Sequence, residues 1–164
     1  MMFYGDGKIR PNQLFALSLS YPILDPGSEI AKEVFETVTK KLLNKYGLKS
    51  LAKGEKDYIE VYEGNSLKRD MSYHQGITWV WLLGFYADAY KNIIKYAKTK
   101  TEQKKLQEDY DKWVKEVSNT FQKELSTRGA IGSIAEIYDS KTPYSPKGAI
   151  AQAWSVAEVF RIII

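Results

Sequence analysis

The sequence predicts an all-α fold of about five helices. Three observations carry that prediction. Apolar residues recur at helical spacing in two long stretches, from Ile30 to Tyr46 and from Leu106 to Phe121. Two further stretches, Ile77 to Tyr90 and Gly148 to Arg161, are apolar on most sides and read as buried helices. No segment alternates apolar and polar residues with the period of two that a half-buried strand requires. At 164 residues the chain fits one domain, residues 1–164, able to bury a core without disulfides or metals.

Taken in order, Gly5-Asp6-Gly7 reads as a turn, and Arg10-Pro11-Asn12 leads into a short apolar helix around Gln13 to Leu19. Arg10 and Asn12 are either a helix cap or the rim of a pocket. Asp25-Pro26 opens the second helix, with Asp25 accepting backbone N–H bonds and Pro26 preset for the first turn. Ile30, Ala31, Val34, Phe35, Val38, Leu42 and Tyr46 form its stripe, and Gly47 supplies a left-handed cap. From Leu48 to Gly76 periodicity fails, and a connection of that length in a compact domain is functional or disordered. Tyr58, Tyr62 and Tyr73 argue for a folded loop over a pocket.

The apolar helix from Ile77 narrows to a stripe at Tyr90, Ile93, Ile94 and Ala97. Thr101 to Leu125 is amphipathic, with Trp113 in its apolar stripe and therefore in the core. Gly129 to Lys147 is irregular and carries Glu136 and Asp139. In the last helix Gln152, Ser155 and Glu158 form a narrow polar stripe, which either lines a cavity or hydrogen-bonds along a seam between helices.

Composition narrows the function. There is no cysteine, which excludes a disulfide framework and a thiolate metal site. Twenty-four Lys and Arg against 20 Asp and Glu give a net charge of +4, but the bases are interspersed with acids along helices. That describes a solvated face and not the clustered footprint of a nucleic-acid binder. No apolar run is long enough to span a membrane, and Met1 to Arg10 lacks the features of a secretory signal, so the expected location is cytoplasmic.

The densest chemistry lies in Arg69-Asp70-Met71-Ser72-Tyr73-His74-Gln75-Gly76-Ile77-Thr78-Trp79-Val80-Trp81. It holds a charge pair, the one histidine, an amide and two indoles. Groups that hydrogen-bond hydroxyls beside rings that stack on a sugar suit a carbohydrate pocket. One histidine cannot make a multi-histidine metal site, so no metal or other cofactor is expected. His74 is then a satisfied core residue or a sugar contact. Trp79 and Trp81, two apart on one helix, cannot face the same way.

The run Tyr73-His74-Gln75-Gly76 with Trp79 and Trp81 resembles a segment of the C-terminal glucosidase domain of glycogen debranching enzymes. Arg10-Pro11-Asn12-Gln13, Ala135-Glu136-Ile137-Tyr138-Asp139 and Ala151-Gln152-Ala153-Trp154-Ser155-Val156-Ala157 are similar to other segments of that family, in the same order. The resemblance implies part of an (α/α)6 toroid, the six-hairpin architecture of glucoamylase-like enzymes, of which this chain is the C-terminal portion with the upstream half absent. It implies hydrolysis of α-1,6 branch points in glycogen or a related α-glucan by an inverting pair of carboxyl groups. Glu136 matches the catalytic glutamate and takes the general-base role. Arg10, Asn12, Arg69, Asp70, Tyr73, His74, Gln75, Trp79, Gln152 and Trp154 take substrate-binding roles, with one of Gln152 and Trp154 facing the pocket and the other the core.

The family's general acid is an aspartate well upstream of the Arg-Pro-Asn motif, and neither Asp70 nor Asp139 has a warrant for that role. The chain by itself is thus expected to be a poor hydrolase. Two nearly all-apolar helices imply a covering partner, which is a complementary upstream chain or a second copy. The alternative reading is a non-catalytic helical remnant that self-associates and binds α-glucan without turnover.

Overall fold

A computed structural model describes residues 6–164. Gly5, the first residue of the expected N-terminal turn, lies outside the described residues. A short 3-10 turn at Pro11–Leu14 runs into α1 (Phe15–Ser18), followed by α2 (Glu29–Lys41), α3 (Ser66–Tyr73), α4 (Leu82–Lys95), α5 (Lys100–Thr127) and α6 (Ala153–Ile163). Helix dominates, as expected, with one helix more than predicted. The additional helix is α3, inside the stretch predicted as loop. Asn65 caps it by accepting from Lys68 N at 3.0 Å, and only Ser72 of its residues is buried. A short helix that buries one serine carries no apolar stripe for periodicity to detect.

The core is built on α4, which packs against α1, α2, α5 and α6. Nine of its residues are buried, including Leu82, Leu83, Tyr86, Tyr90 and Ile93, as an all-round apolar helix requires. Much of the aromatic content serves this packing. Phe35 stacks on Tyr86 at 5.0 Å, Tyr90 meets Tyr110 edge-on at 5.3 Å, and Trp113 lies 4.9 Å from Tyr86. α5 starts where Thr99 Oγ1 accepts from Glu102 N at 3.1 Å and buries Tyr110, Val117 and Phe121.

α2 differs from its predicted limits. Ser28 is the capping residue, accepting from Ala31 N at 3.2 Å, while Asp25 closes a tight turn onto Gly27 N. The helix stops at Lys41, because the chain turns there into a hairpin that holds Tyr46 and Gly47. Gly47 serves that hairpin and not a helix cap.

The strands form one antiparallel sheet in chain order: β1 (Leu43–Asn44), β2 (Gly47–Lys49), β3 (Thr78–Trp79), β4 (Ile137–Tyr138) and β5 (Pro146–Lys147). Strands of two or three residues are too short to show a period of two, which explains their absence from the prediction. β3 occupies what reads as the first turn of a buried helix. Ile77, Thr78, Trp79 and Val80 are all buried, and a short apolar run does not distinguish strand from helix. The register Leu48↔Trp79 and Trp79↔Ile137 sets three distant segments side by side: the residues after β2, those around β3 and those around β4.

α6 is apolar on two faces. Ser155, Val159 and Ile162 are buried against the core, while Trp154 and Phe160 are 48% and 43% exposed, and Ile164, just past the helix end, is 97% exposed. It begins at Ala153, later than predicted, because Gly148 to Gln152 is extended or turned. Among the described residues, no helix is long and apolar enough to cross a membrane.

Candidate functional site

The 3-10 turn and start of α1, Ser50, the turn at His74 and Gln75, and the stretch from Trp79 to Leu82 enclose an open cleft of about 460 Å³. Arg10, Asn12, Phe15, Ser50, His74, Gln75, Trp79 and Trp81 are among its walls. Of the residues expected to bind substrate, Arg10, Asn12, His74, Gln75 and Trp79 therefore lie together. Trp79 and Trp81 share the cleft, which corrects the expectation that they face apart. That expectation assumed a helix, whereas Trp79 is in β3 and Trp81 stands just ahead of α4.

Arg10 stands at the N-cap position of the 3-10 turn and is not a free rim charge. Its side chain makes no cap bond; its Nη1 donates to the carbonyls of His74 at 2.8 Å and Ser50 at 3.1 Å, and its Nη2 donates to Gln75 Oε1 at 3.0 Å. One planar guanidinium thus fixes both the backbone and an amide of the cleft wall. Arg10→Ala strands three acceptors, and it is expected to lower stability by about 2 kcal/mol in chemical denaturation. A loss under about half of that would show that water replaces the guanidinium.

Rings form the floor. His74 stacks on Trp79 with centroids 5.3 Å apart and planes 4° from parallel, and Tyr73 meets Trp79 edge-on at 4.6 Å. Trp79 Nε1 donates to Tyr73 O at 3.1 Å, and the residue is only 8% exposed. The exposed ring over this stack belongs to His74.

Neither Glu136 nor Tyr73 is among the cleft-lining residues; Tyr73 packs against His74 and Trp79, and Glu136 accepts from its hydroxyl. That hydroxyl donates to Glu136 Oε1 at 2.5 Å, Gln152 Nε2 donates to the same oxygen at 3.3 Å, and Ala149 N donates to Oε2 at 3.1 Å. Gln152 is itself set by Ser155 Oγ, which donates to Gln152 Oε1 at 2.6 Å. The polar stripe fits neither reading: Gln152 and Ser155 bond toward the Glu136 carboxylate, which stands outside the helices, and Glu158 bonds Trp154 and Arg161 of its own helix. Gly148 makes room for the carboxylate: at φ +68°, a Cβ there would stand 2.3 Å from Glu136 Oε2. Burial, then the bond to the Glu136 carboxylate, pushes the Tyr73 hydroxyl well above its ordinary range, so it remains a donor at neutral pH.

Gln152 and Trp154 do not divide between pocket and core. Gln152 is half-buried on Glu136, and Trp154 stacks on Trp81 at 4.1 Å with half its surface exposed. Arg69 and Asp70 are exposed on α3, away from the cleft walls, and no ion pair joins them among the described residues. Asp139 is buried and accepts from Tyr62 N at 2.8 Å, a structural duty. Ser50, Phe15 and Leu82 are wall residues that sequence reasoning missed, and Ser50 is the polar one. Its N donates to Ile77 O, its Oγ accepts from Gly76 N and its O accepts from Arg10. A lone serine in an aperiodic stretch carries no signal of that role.

Among the described residues, no group of three or more His, Asp or Glu is placed to hold a metal ion. A family model described as amylo-alpha-1,6-glucosidase matches residues 3–161 of this chain.

Proposed function

We propose, for a chain that belongs to the amylo-alpha-1,6-glucosidase family, that it supplies the base side of an inverting α-1,6-glucosidase site acting on glycogen or a related α-glucan. The observation that carries the reading is the clamp on Glu136. Tyr73, Gln152 and Glu136 come from three separate segments of the sequence and meet at one carboxylate. A general base needs an ionised, oriented oxygen with capacity left over. A carboxylate has about four lone-pair sites, and three donors leave one for water.

In the proposed reaction Glu136 takes a proton from water as the water oxygen bonds to the anomeric carbon. The α-1,6 bond breaks as a carboxylic acid protonates the departing oxygen. That acid belongs to a complementary upstream segment or chain, placed roughly 6.5–9.5 Å from Glu136 to leave room for the water. His74, Gln75 and Asn12 are the groups we assign to sugar hydroxyls. Arg10 orients the wall, and Arg69 and Asp70, exposed on α3, would act only on a longer glucan chain.

The exposed outer face of α6, with Phe160 and Ile164, supports a covering partner. We assign it to the remaining helices of an (α/α)6 toroid. A second copy of this chain is the alternative, in which case the protein is a self-associated remnant that holds α-glucan without turnover.

The test is glucose release from an α-1,6-branched oligosaccharide, by the chain alone and with an upstream glucosidase portion added. Activity is expected only in the mixture, and Glu136→Gln should reduce it about 10²- to 10⁴-fold. An unchanged rate in the variant would overturn the base assignment. No activity in the mixture, with a stable homodimer in solution, would replace this reading with the remnant.

A further inference from the structure

Behind the Glu136 clamp stands a buried hydroxyl. Gln152 occupies the N-cap position of α6, where a side-chain oxygen ordinarily accepts from a backbone N–H of the first turn. Its amide makes no such bond. Instead Ser155 Oγ, in the first turn of α6, donates to Gln152 Oε1 at 2.6 Å, and Gln152 Nε2 donates to Glu136 Oε1 at 3.3 Å. Both ends of the amide are committed to protein partners.

The backbone of Gln152 is fixed as well. Its N donates to Ile134 O at 2.9 Å, and its O accepts from Val156 N at 3.1 Å. The freedom that remains lies in the side-chain torsions. An amide carries an acceptor on one side and donors on the other at nearly the same size, so half a turn exchanges them. In the exchanged orientation an amide oxygen would face an oxygen of Glu136. A hydroxyl donor on the far side removes that alternative, because only the amide oxygen can accept from it. Ser155 is that donor, and at 0% exposure bulk water does not reach the position to replace it. The bond from Gln152 to Glu136 is the longer of the two, so the short bond from Ser155 is the firmer anchor.

We infer that Ser155 is a positioning residue for the hydrolysis proposed above: it acts through the Gln152 amide to set the Glu136 oxygen that takes the proton from water. This rests on the base assignment. It also moves Gln152, expected from the sequence to bind substrate, into the service of Glu136.

Two arms test it. In the mixture of the full chain and an upstream glucosidase portion, Ser155→Ala removes one oxygen and introduces no clash. It is expected to lower kcat on an α-1,6-branched oligosaccharide about tenfold with KM within about twofold, since the loss falls on the reacting oxygen and not on sugar binding. Ser155→Thr, which keeps the hydroxyl, should recover kcat to within about threefold of the parent. Ser155→Ala added to Gln152→Ala should cost less than about twofold beyond Gln152→Ala alone. An unchanged kcat in Ser155→Ala, or a further loss of about tenfold in the double variant, would overturn the inference.

The second arm needs no turnover. In the full chain alone, the side-chain NH2 resonances of Gln152, assigned by their loss in Gln152→Ala, are compared before and after Glu136→Gln. That replacement is expected to move them in the parent and to move them less than about half as far when Ser155 is replaced by alanine. Equal movement in both backgrounds would overturn the positioning role. With no glucose released by any mixture the base assignment falls, and movement that still depends on Ser155 would leave its hold on the amide standing.

Discussion

Gly76→Ala is expected to lower stability by about 3 kcal/mol, among the largest losses available to one added methyl. Gly76 has φ +134°, a conformation that costs a side chain on the order of 1–3 kcal/mol. A Cβ would also stand 2.4 Å from Ile59 O and 2.7 Å from the Tyr58 ring. Overpacking of that kind costs about 1–3 kcal/mol more, and a backbone carbonyl yields less readily than a flexible side chain. The carbonyl cannot retreat cheaply, because Ile59 N donates to Gln75 O on the same segment. Gly76 N also donates to Ser50 Oγ at 2.9 Å, and its carbonyl accepts from Ser140 Oγ. The substitution therefore pries apart the wall that Ser50 and Gln75 share. For a chain of this size the melting temperature should drop by about 8 °C, with an unchanged denaturant slope. A drop of less than about 2 °C would show that the 58–60 segment moves aside at little cost.

The glycine also shows what the sequence displayed and what it concealed. Gly76 closes the Tyr-His-Gln-Gly run, and the run drew attention for its polar groups. The reason for the glycine itself, a turn pressed against the segment at Tyr58, is a long-range contact with no local signature. The same division holds elsewhere. α5 was legible because Tyr110, Val117 and Phe121 repeat on one face, and its prediction differs from Lys100–Thr127 only at the ends. α3 was not, because its face is solvent. The residues of the motif stood out by their chemistry, but their arrangement did not. Trp79 and Trp81 share a wall because a two-residue strand and a bend replace the expected helix turn. Arg10 illustrates the limit most sharply: besides its local ion pair with Asp6, its acceptors are contributed by residues 50, 74 and 75, and only the folded chain brings those within reach of one guanidinium.

At alkaline pH the buried tyrosines should dominate stability. Burial pushes the hydroxyls of Tyr86 and Tyr138, 2% and 0% exposed, far above their ordinary value of 10.0. For Tyr138 the nearby Glu124 carboxylate adds repulsion to any phenolate, and ionisation would surrender the bond its hydroxyl donates to Glu124 Oε1 at 2.9 Å. Tyr58, also raised chiefly by burial, is pushed up to about 12.

In the unfolded chain each of these groups ionises near its ordinary value, so above that pH the unfolded state binds fewer protons than the folded one. Stability is then fully present below pH 10 and falls as pH rises toward the folded values. Tyr86 and Tyr138 each remove about 1.4 kcal/mol per pH unit in that window, enough together to consume much of an ordinary domain's stability by about pH 12. Melting followed by circular dichroism should accordingly be flat from neutral pH to about 9.5 and then drop steeply, with phenolate absorbance appearing together with loss of helix. Tyr86→Phe, which forfeits only the bond to Thr39 Oγ1, should be slightly less stable at neutral pH and show a slope shallower by about 1.4 kcal/mol per unit above pH 10. If all 12 tyrosines titrated near pH 10 with helix content intact, the aromatic core around α4 would be open to water and the packing described for it would be wrong.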